Sequence, residues 1–247
     1  METITITAQK GGVGKTTTAA ALGAALRKYR GARVLYVDLD PQRNLTKTLG
    51  ADDTGQTIAQ VLQGEITAEE AIQHTEQGDV LPASMDLVGA DRLGLSPRVL
   101  RLALKGLDGA YGYCIIDTPP ALGILSINAL TAAHRAIIPA LADAYSVDSI
   151  RDIQGTLETV RQHTNKSLDV SGVLITHYNP RTTVSRYYAE RLEEEARAIG
   201  SRLLSTRIRE CSKLREAAAL QEDIYTLAPR SNAAQDYRDL MDELTSR

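Results

Sequence analysis

The chain reads as an α/β protein built on a mostly parallel, doubly wound sheet flanked by helices. Three observations carry that expectation. A glycine-rich turn, Lys10-Gly11-Gly12-Val13-Gly14-Lys15-Thr16-Thr17, lies between an apolar-alternating strand and an alanine-rich helix. Two further apolar runs end in carboxylates, at Asp38 and Asp117, and carboxylates at the carboxyl ends of parallel strands sit on the edge where α/β sheets bind ligands. Past residue 130, strand-like runs alternate with helical patterns, the arrangement that covers a parallel sheet on both faces. With 247 residues, no internal repeat and no Gly/Ser/Pro-rich boundary, residues 1–247 are expected to form a single domain.

Residues 3–7 alternate Thr and Ile, so Ile4 and Ile6 share one face of a first strand. The following helix, about residues 16–30, is rich in alanine, places Leu22 and Leu26 at i,i+4, and meets a natural stop at Gly31. A second strand over residues 32–38 completes a βαβ unit, the context that a phosphate-binding loop requires. Residues 57–63, 68–74 and 96–107 suggest helical patches, and residues 79–82 and 86–89 short strands. His74 reads as a surface residue, since no second ligand stands at helical spacing. The run Tyr113-Cys114-Ile115-Ile116-Asp117 is a buried strand, stopped by Pro119 and Pro120. Strands near 135–139 and 170–176 bracket a helix over 147–163. A last helix begins at Ser231 or Asn232 as cap, with Tyr237, Leu240, Met241 and Leu244 on one face. Its other face is acidic (Asp236, Asp239, Asp242, Glu243), whereas an amphipathic membrane anchor carries Lys and Arg there.

The loop at residues 10–17 has the chemistry of a phosphate cradle. Its glycines permit a tight turn whose N–H groups face an anion, and the helix that follows presents its positive dipole end to the same point. Lys15 is placed to reach β and γ phosphates, and Thr16 carries a hydroxyl suited to Mg²⁺. Next to it, Asp38-Leu39-Asp40 and the Asp117 strand end suggest management of a metal ion and a water. The formal charge of −3 requires any nucleic-acid contact to come from a local patch. Residues 181–215 offer one, with nine basic against five acidic side chains, although Arg186 with Glu190 and Glu193 with Arg197 sit at i,i+4 and suit a self-paired solvated helix equally well. No apolar run approaches the ~18 residues that cross a bilayer, and the two cysteines lack pairing or metal-ligand spacing, so a cytosolic protein without a disulfide or metal cluster is expected.

The loop departs from G-x-x-x-x-G-K-[ST] by having Gln9 at the first glycine position and a second lysine at Lys10, and in this it resembles the deviant Walker A loop of the ParA/MinD group of P-loop ATPases. The resemblance extends through Asp38-Leu39-Asp40-Pro41-Gln42, Asp117-Thr118-Pro119-Pro120-Ala121-Leu122-Gly123, Asn128-Ala129-Leu130 and the Pro229-x-Ser231-x-x-Ala234-x-x-Tyr237 tail. It implies a ParA-type partition ATPase without an N-terminal helix-turn-helix region. ATP and Mg²⁺ would bind Gly11, Gly12, Val13, Gly14, Lys15, Thr16 and Thr17. Thr16, Asp38 and Asp117 would attend the metal, Asp38 also supporting the adjoining switch loop, and Asp40 would orient the attacking water. Lys10 would reach the partner's phosphates in a homodimer formed with ATP. Asn179, on a loop that lies near the base in relatives, becomes a candidate adenine contact, and the absence of an N-K-x-D element favours ATP over GTP. The resemblance also implies nonspecific double-stranded DNA as a ligand of the dimer, a ParB-type partner that stimulates slow hydrolysis, and nucleoid association. Arg181, Arg186, Lys213, Arg215 and Arg230 are the candidates for DNA contact. The chain departs from the group's pattern where Arg209-Glu210 replaces Pro and a basic residue, and where Gln221-Glu222-Asp223 replaces Gly-Lys-Pro. Acid thus stands for base in part of the presumed DNA surface, and a positioning ATPase acting on a protein cargo or membrane surface is the alternative.

Overall fold

A computed structural model of the chain describes residues 1–246. Strands β1 (Glu2–Ile6), β2 (Val34–Asp38), β3 (Gln73–Thr75), β4 (Gly78–Leu81), β5 (Tyr113–Asp117), β6 (Arg135–Leu141), β7 (Asp169–Tyr178) and β8 (Leu203–Arg209) form one sheet in the order β3-β4-β2-β5-β1-β6-β7-β8. Every pairing is parallel except β3 with β4. This is the doubly wound sheet that the alternating pattern predicts, with an antiparallel edge hairpin added.

Helices cover both faces. α1 (Lys15–Arg30) lies on one, and α2 (Asn44–Thr48), α3 (Ile58–Gln63), α4 (Ala68–Ala71), α5 (Val99–Lys105), α6 (Ile124–Ala132), α7 (Ala144–His163), α8 (Thr183–Ala198), α9 (Lys213–Leu220), α10 (Ile224–Leu227) and α11 (Asn232–Thr245) follow in chain order. One apolar cluster joins α1, α9, α10 and α11 to the sheet, and two more lie beneath α3–α6 and beneath α7–α8. Alanine dominates the buried side of α1, so its backbone approaches the sheet closely, and Gly23 packs directly on the Tyr36 ring of β2. α11 buries Tyr237, Leu240, Met241 and Leu244 as its periodicity indicates, and Ser231 caps it by accepting the N–H of Ala234.

Some local expectations need correction. The pattern at 86–89 is a 3₁₀ turn (Met85–Leu87) rather than a strand, because Ser84 caps it and only Leu87 of its three residues is buried. The helix expected at 68–74 ends at Ala71, and His74 lies on β3 with its exposed ring against Asp79. α6 and β8 have no counterpart in the pattern reading.

Register explains the site. Ile6 and Asp38 both pair with Asp117, so the carboxyl ends of β1, β2 and β5 stop at one level. The loop leaving β1 therefore faces the carboxylates that end its neighbours on that side.

Candidate active site

The loop between β1 and α1 turns through two left-handed glycines, Gly12 (φ 74°) and Gly14 (φ 84°), a conformation that a side-chain-bearing residue adopts only under strain. Gly14 is the N-cap of α1, makes no side-chain cap, and no acid stands in the first helical turn. The first N–H groups of α1 are thus left for an anion, together with the positive end of the helix dipole. Gly11 and Gly12 have open space where a Cβ would stand, while Val13 is buried and its carbonyl accepts a hydrogen bond from Thr176 Oγ1 (2.8 Å), pinning the loop to β7.

The two lysines of the loop point to different places. Lys15 is buried and its Nζ donates to the carbonyl of Lys10 (3.1 Å), closing over the cradle. Burial pushes its pKa down, against the opposing pull of Asp117 and Asp40. Lys10 instead extends out of the loop to Asp143 Oδ2 (2.6 Å), with its ammonium 5.5 Å from the centre of the Tyr145 ring. Asp143 ends the β6 run and caps α7 by accepting the N–H of Ser146.

The three carboxylates also divide their work. Thr16 Oγ1 donates to Asp117 Oδ2 (2.6 Å), and Asp117 Oδ1 is fully buried without a hydrogen-bond partner. Burial and then the neighbouring Asp38 raise the Asp117 carboxyl well above the usual carboxylate range. A buried, unpartnered carboxylate oxygen beside a hydroxyl is a donor set that a hard divalent cation fits. Asp38 differs. Its Oδ1 accepts the N–H of Asp40, and its Oδ2 accepts both the N–H and the Oγ1–H of Thr46. Burial pushes its pKa up to about 6 despite these bonds. Both Asp38 oxygens hold the loop that carries Asp40 and α2, so a metal role for Asp38 has to be shared with these bonds. Asp40 spends one oxygen on the N–H of Gln42 (2.9 Å) and is almost fully buried beside the cradle.

Beyond Gly14 and Thr17, a cleft of about 140 Å³ is lined by Thr176, His177, the turn at Arg209, Glu210 and Cys211, and Arg215. His177 adopts a left-handed conformation (φ 50°) there. Asn179 is outside this lining, with its Oδ1 turned back to accept the N–H of Arg181 in an exposed turn.

The basic patch is largely self-neutralised. Arg191 pairs with Glu194, Arg197 with Glu193, Arg202 with Glu243, Arg209 with Asp236, and Lys213 with Glu216 at 2.6 Å. Arg207 donates to Tyr178 Oη and stacks on its ring. Arg181, Arg186, Arg215 and Arg230 are exposed with no carboxylate at ion-pair distance among the described residues; the expected Arg186–Glu190 pair does not form, and Lys213 is not a free cation.

Asp143, Thr46 and Thr176 went unnoticed in the sequence. Asp143 carries the signal that marks Asp38 and Asp117, a carboxylate after an apolar run. Thr46 and Thr176 have no local signal, because their partners are set by tertiary structure.

A phosphate-binding loop on β1, a helix N-terminus open to an anion, and carboxylates on β2 and β5 define a P-loop ATPase of the deviant two-lysine type. A family profile described as an AAA domain matches residues 1–170. The chromosome-partitioning ATPase Soj of Thermus thermophilus is 40% identical, over 99% of this chain and 95% of that protein. The sporulation initiation inhibitor protein Soj of Bacillus subtilis is 38% identical over 98% of both. Among solved structures, a Mycobacterium smegmatis protein described as cobyrinic acid a,c-diamide synthase, with an ATP analog and magnesium bound, superposes with a TM-score of 0.87 at 34% identity, covering 100% of this chain and 97% of that one. The chain belongs to the ParA/Soj family of P-loop ATPases.

Proposed function

We propose that the protein is an ATP-dependent dimerising switch for plasmid or chromosome partition. In this reading it binds nonspecific double-stranded DNA in the ATP state and is released when a ParB-type partner stimulates hydrolysis. One observation carries the reading: of the two loop lysines, Lys15 closes over its own cradle while Lys10 projects out of it. A second lysine that does not serve its own loop is available to the phosphates of a second copy. The bound nucleotide then becomes part of a subunit interface.

Residues of the chain divide the remaining tasks. Gly11, Gly12, Val13, Gly14 and the first turn of α1, through Thr17, hold the phosphates. Thr16 and Asp117 would hold Mg²⁺, which when bound neutralises charge on the β and γ phosphate oxygens. Asp40 orients the attacking water, and Asp38 keeps the Asp40 loop in place through its bonds to Asp40 and Thr46. Completing charge stabilisation only in the closed dimer accounts for a low basal rate. The molecule works in the cytoplasm, on the nucleoid while ATP is bound; among the described residues no helix is long and apolar enough to cross a membrane.

The test is DNA binding with ATP, ADP and no nucleotide across salt. Binding that strengthens with ATP and weakens steeply with salt supports the reading. Asp40→Ala should accumulate ATP dimers, and Lys10→Ala should bind ATP as a monomer without dimerising. The ion-paired C-terminal surface favours one alternative, a positioning ATPase whose cargo is a protein or membrane surface. ATP dimers that ignore DNA at low salt would select it.

A further inference from the structure

At the amino-terminal ends of β1, β6 and β7, opposite the nucleotide edge, lies a cleft of about 710 Å³. Its lining includes Arg98, Arg101 and Lys105 along α5, His134, and the β7-leading residues Asn165 and Ser167, which flank exposed Lys166. Arg98 and Arg101 each commit one guanidinium N–H to a carbonyl at the end of α7, on His163 (2.9 Å) and Thr164 (3.5 Å). Those bonds orient the two side chains and leave the other guanidinium N–H groups free. His134 Nδ1 accepts the N–H of Thr3 (3.0 Å), which leaves its Nε2–H as a further donor.

Among the described residues no carboxylate lies at ion-pair distance from Arg98, Arg101, Lys105 or Lys166. One acid, Asp108, lines the cleft itself and faces the Met1 amino group at 3.8 Å; of the others nearby, Glu69 packs against Gly106 and Asp169 accepts from Ser171. The contrast with residues 191–213, where five cations are paired with carboxylates, is direct. Spacing favours a nucleic-acid backbone as the occupant. Positions 98, 101 and 105 fall on one helical face over roughly 10 Å of axis. A DNA strand rises ~3.4 Å per phosphate, so three cations meet about three successive phosphates.

We propose that this pole is a phosphate-contact surface for double-stranded DNA that operates without bound nucleotide. It lies at the far edge of the sheet from the cradle, so face-to-face dimerisation neither builds nor covers it. The inference rests on the DNA-binding reading and adds to it a weak second contact, measurable at low salt in either nucleotide state and too salt-sensitive to hold the protein on DNA once hydrolysis opens the dimer.

The experiment measures binding of a labelled random-sequence duplex across salt, with ADP and with ATP, for the wild type, Lys105→Glu/Lys166→Glu and Arg181→Glu/Arg186→Glu. Neither the Lys105 nor the Lys166 side chain makes a hydrogen bond or ion pair among the described residues, so the first variant should keep the wild-type melting temperature; Lys105→Gln/Lys166→Gln checks that charge loss alone has a smaller effect of the same sign. With ADP, the Lys105/Lys166 reversal should weaken binding about tenfold at low salt and lower the salt slope by about 2. The Arg181/Arg186 reversal should leave ADP-state binding intact. Wild-type behaviour of the Lys105/Lys166 reversal in both nucleotide states, with loss of binding on Arg181/Arg186 reversal, overturns this surface and leaves the DNA reading standing. Absence of wild-type binding in every state at low salt overturns both.

Discussion

Gly23 and Tyr36 meet where α1 crosses β2, and their contact sets how closely the phosphate-loop helix approaches the sheet. A Cβ added at Gly23 would stand 2.3 Å from the Tyr36 ring, so Gly23→Ala should cost about 1–3 kcal/mol through overpacking despite its gain in helix propensity. The Tyr36 hydroxyl is fully buried without a hydrogen-bond partner, and burial raises its pKa. Tyr36→Phe, which removes that orphan, is therefore expected to be neutral or stabilising by up to about 2 kcal/mol in urea unfolding. At the cradle, Lys15→Gln should abolish measurable ATP binding by calorimetry while leaving the melting temperature near wild type, because the Lys15 side chain makes only one hydrogen bond among the described residues. These residues differ in how visible they were. Lys15, Asp40 and Asp117 stand at fixed offsets in local motifs, so spacing alone marks them. The tie between Asp38 and the loop that carries Asp40 depends on Thr46 reaching back to it across a turn, and spacing carries no trace of such a bond.

The same distinction holds for whole elements. β1 was legible from its Thr/Ile alternation, β2 and β5 as apolar runs that end in carboxylates, and α1 as an alanine-rich stretch stopped by Gly31. α6 (Ile124–Ala132) was not, since six of its nine residues are buried and an element covered nearly all round loses the amphipathic signal. Its Asn128 is anchored elsewhere, accepting the N–H of Leu100 and donating to the Ser96 carbonyl, so it sets the start of α5. β8 was hidden by charge: only Leu204 and Ile208 of its seven residues are buried. What secures this edge strand comes from α11, where Glu243 accepts the N–H groups of Ser205 and Thr206, both at 2.9 Å. The Glu243 side chain is 12% exposed, and although burial pushes its pKa up, the bonds from Ser205 and Thr206 together outweigh it and hold the carboxyl below the usual glutamate range. A carboxyl whose folded pKa is depressed contributes stability above its unfolded pKa and loses it as the pH falls. Glu243→Gln should thus cost about 1–2 kcal/mol at pH 7, allowing for partial solvent access. The gap between variant and wild type should narrow below pH 4.5 in urea melts, and a gap independent of pH would show that packing rather than charge holds β8.

At the scale of the whole molecule, the proposed switch turns on where Lys10 spends its charge. In the single chain it is 25% exposed and ion-paired in cis with Asp143, on the helix that follows β6. Any reach toward the phosphates of a second copy must first break that pair. Opposite charges that remain partly solvated are worth ~0.5–1 kcal/mol, so the cis pair sets a small opposing term rather than a block. Asp143 also caps α7 through Ser146, and removing both functions together would confuse the outcome. Asp143→Ser separates them, because serine at an N-cap retains an acceptor for the same N–H while abolishing the charge. This variant should dimerise about two- to fivefold more tightly in ATP, read by light scattering or sedimentation against protein concentration, with nucleotide affinity of the monomer unchanged. Lys10→Ala in the same background should remove the gain. Should Asp143→Ser dimerise more weakly instead, Asp143 would have to act within the interface itself, steering Lys10 toward the second copy rather than holding it back. The direction of the shift thus decides whether α7 restrains the lysine or delivers it.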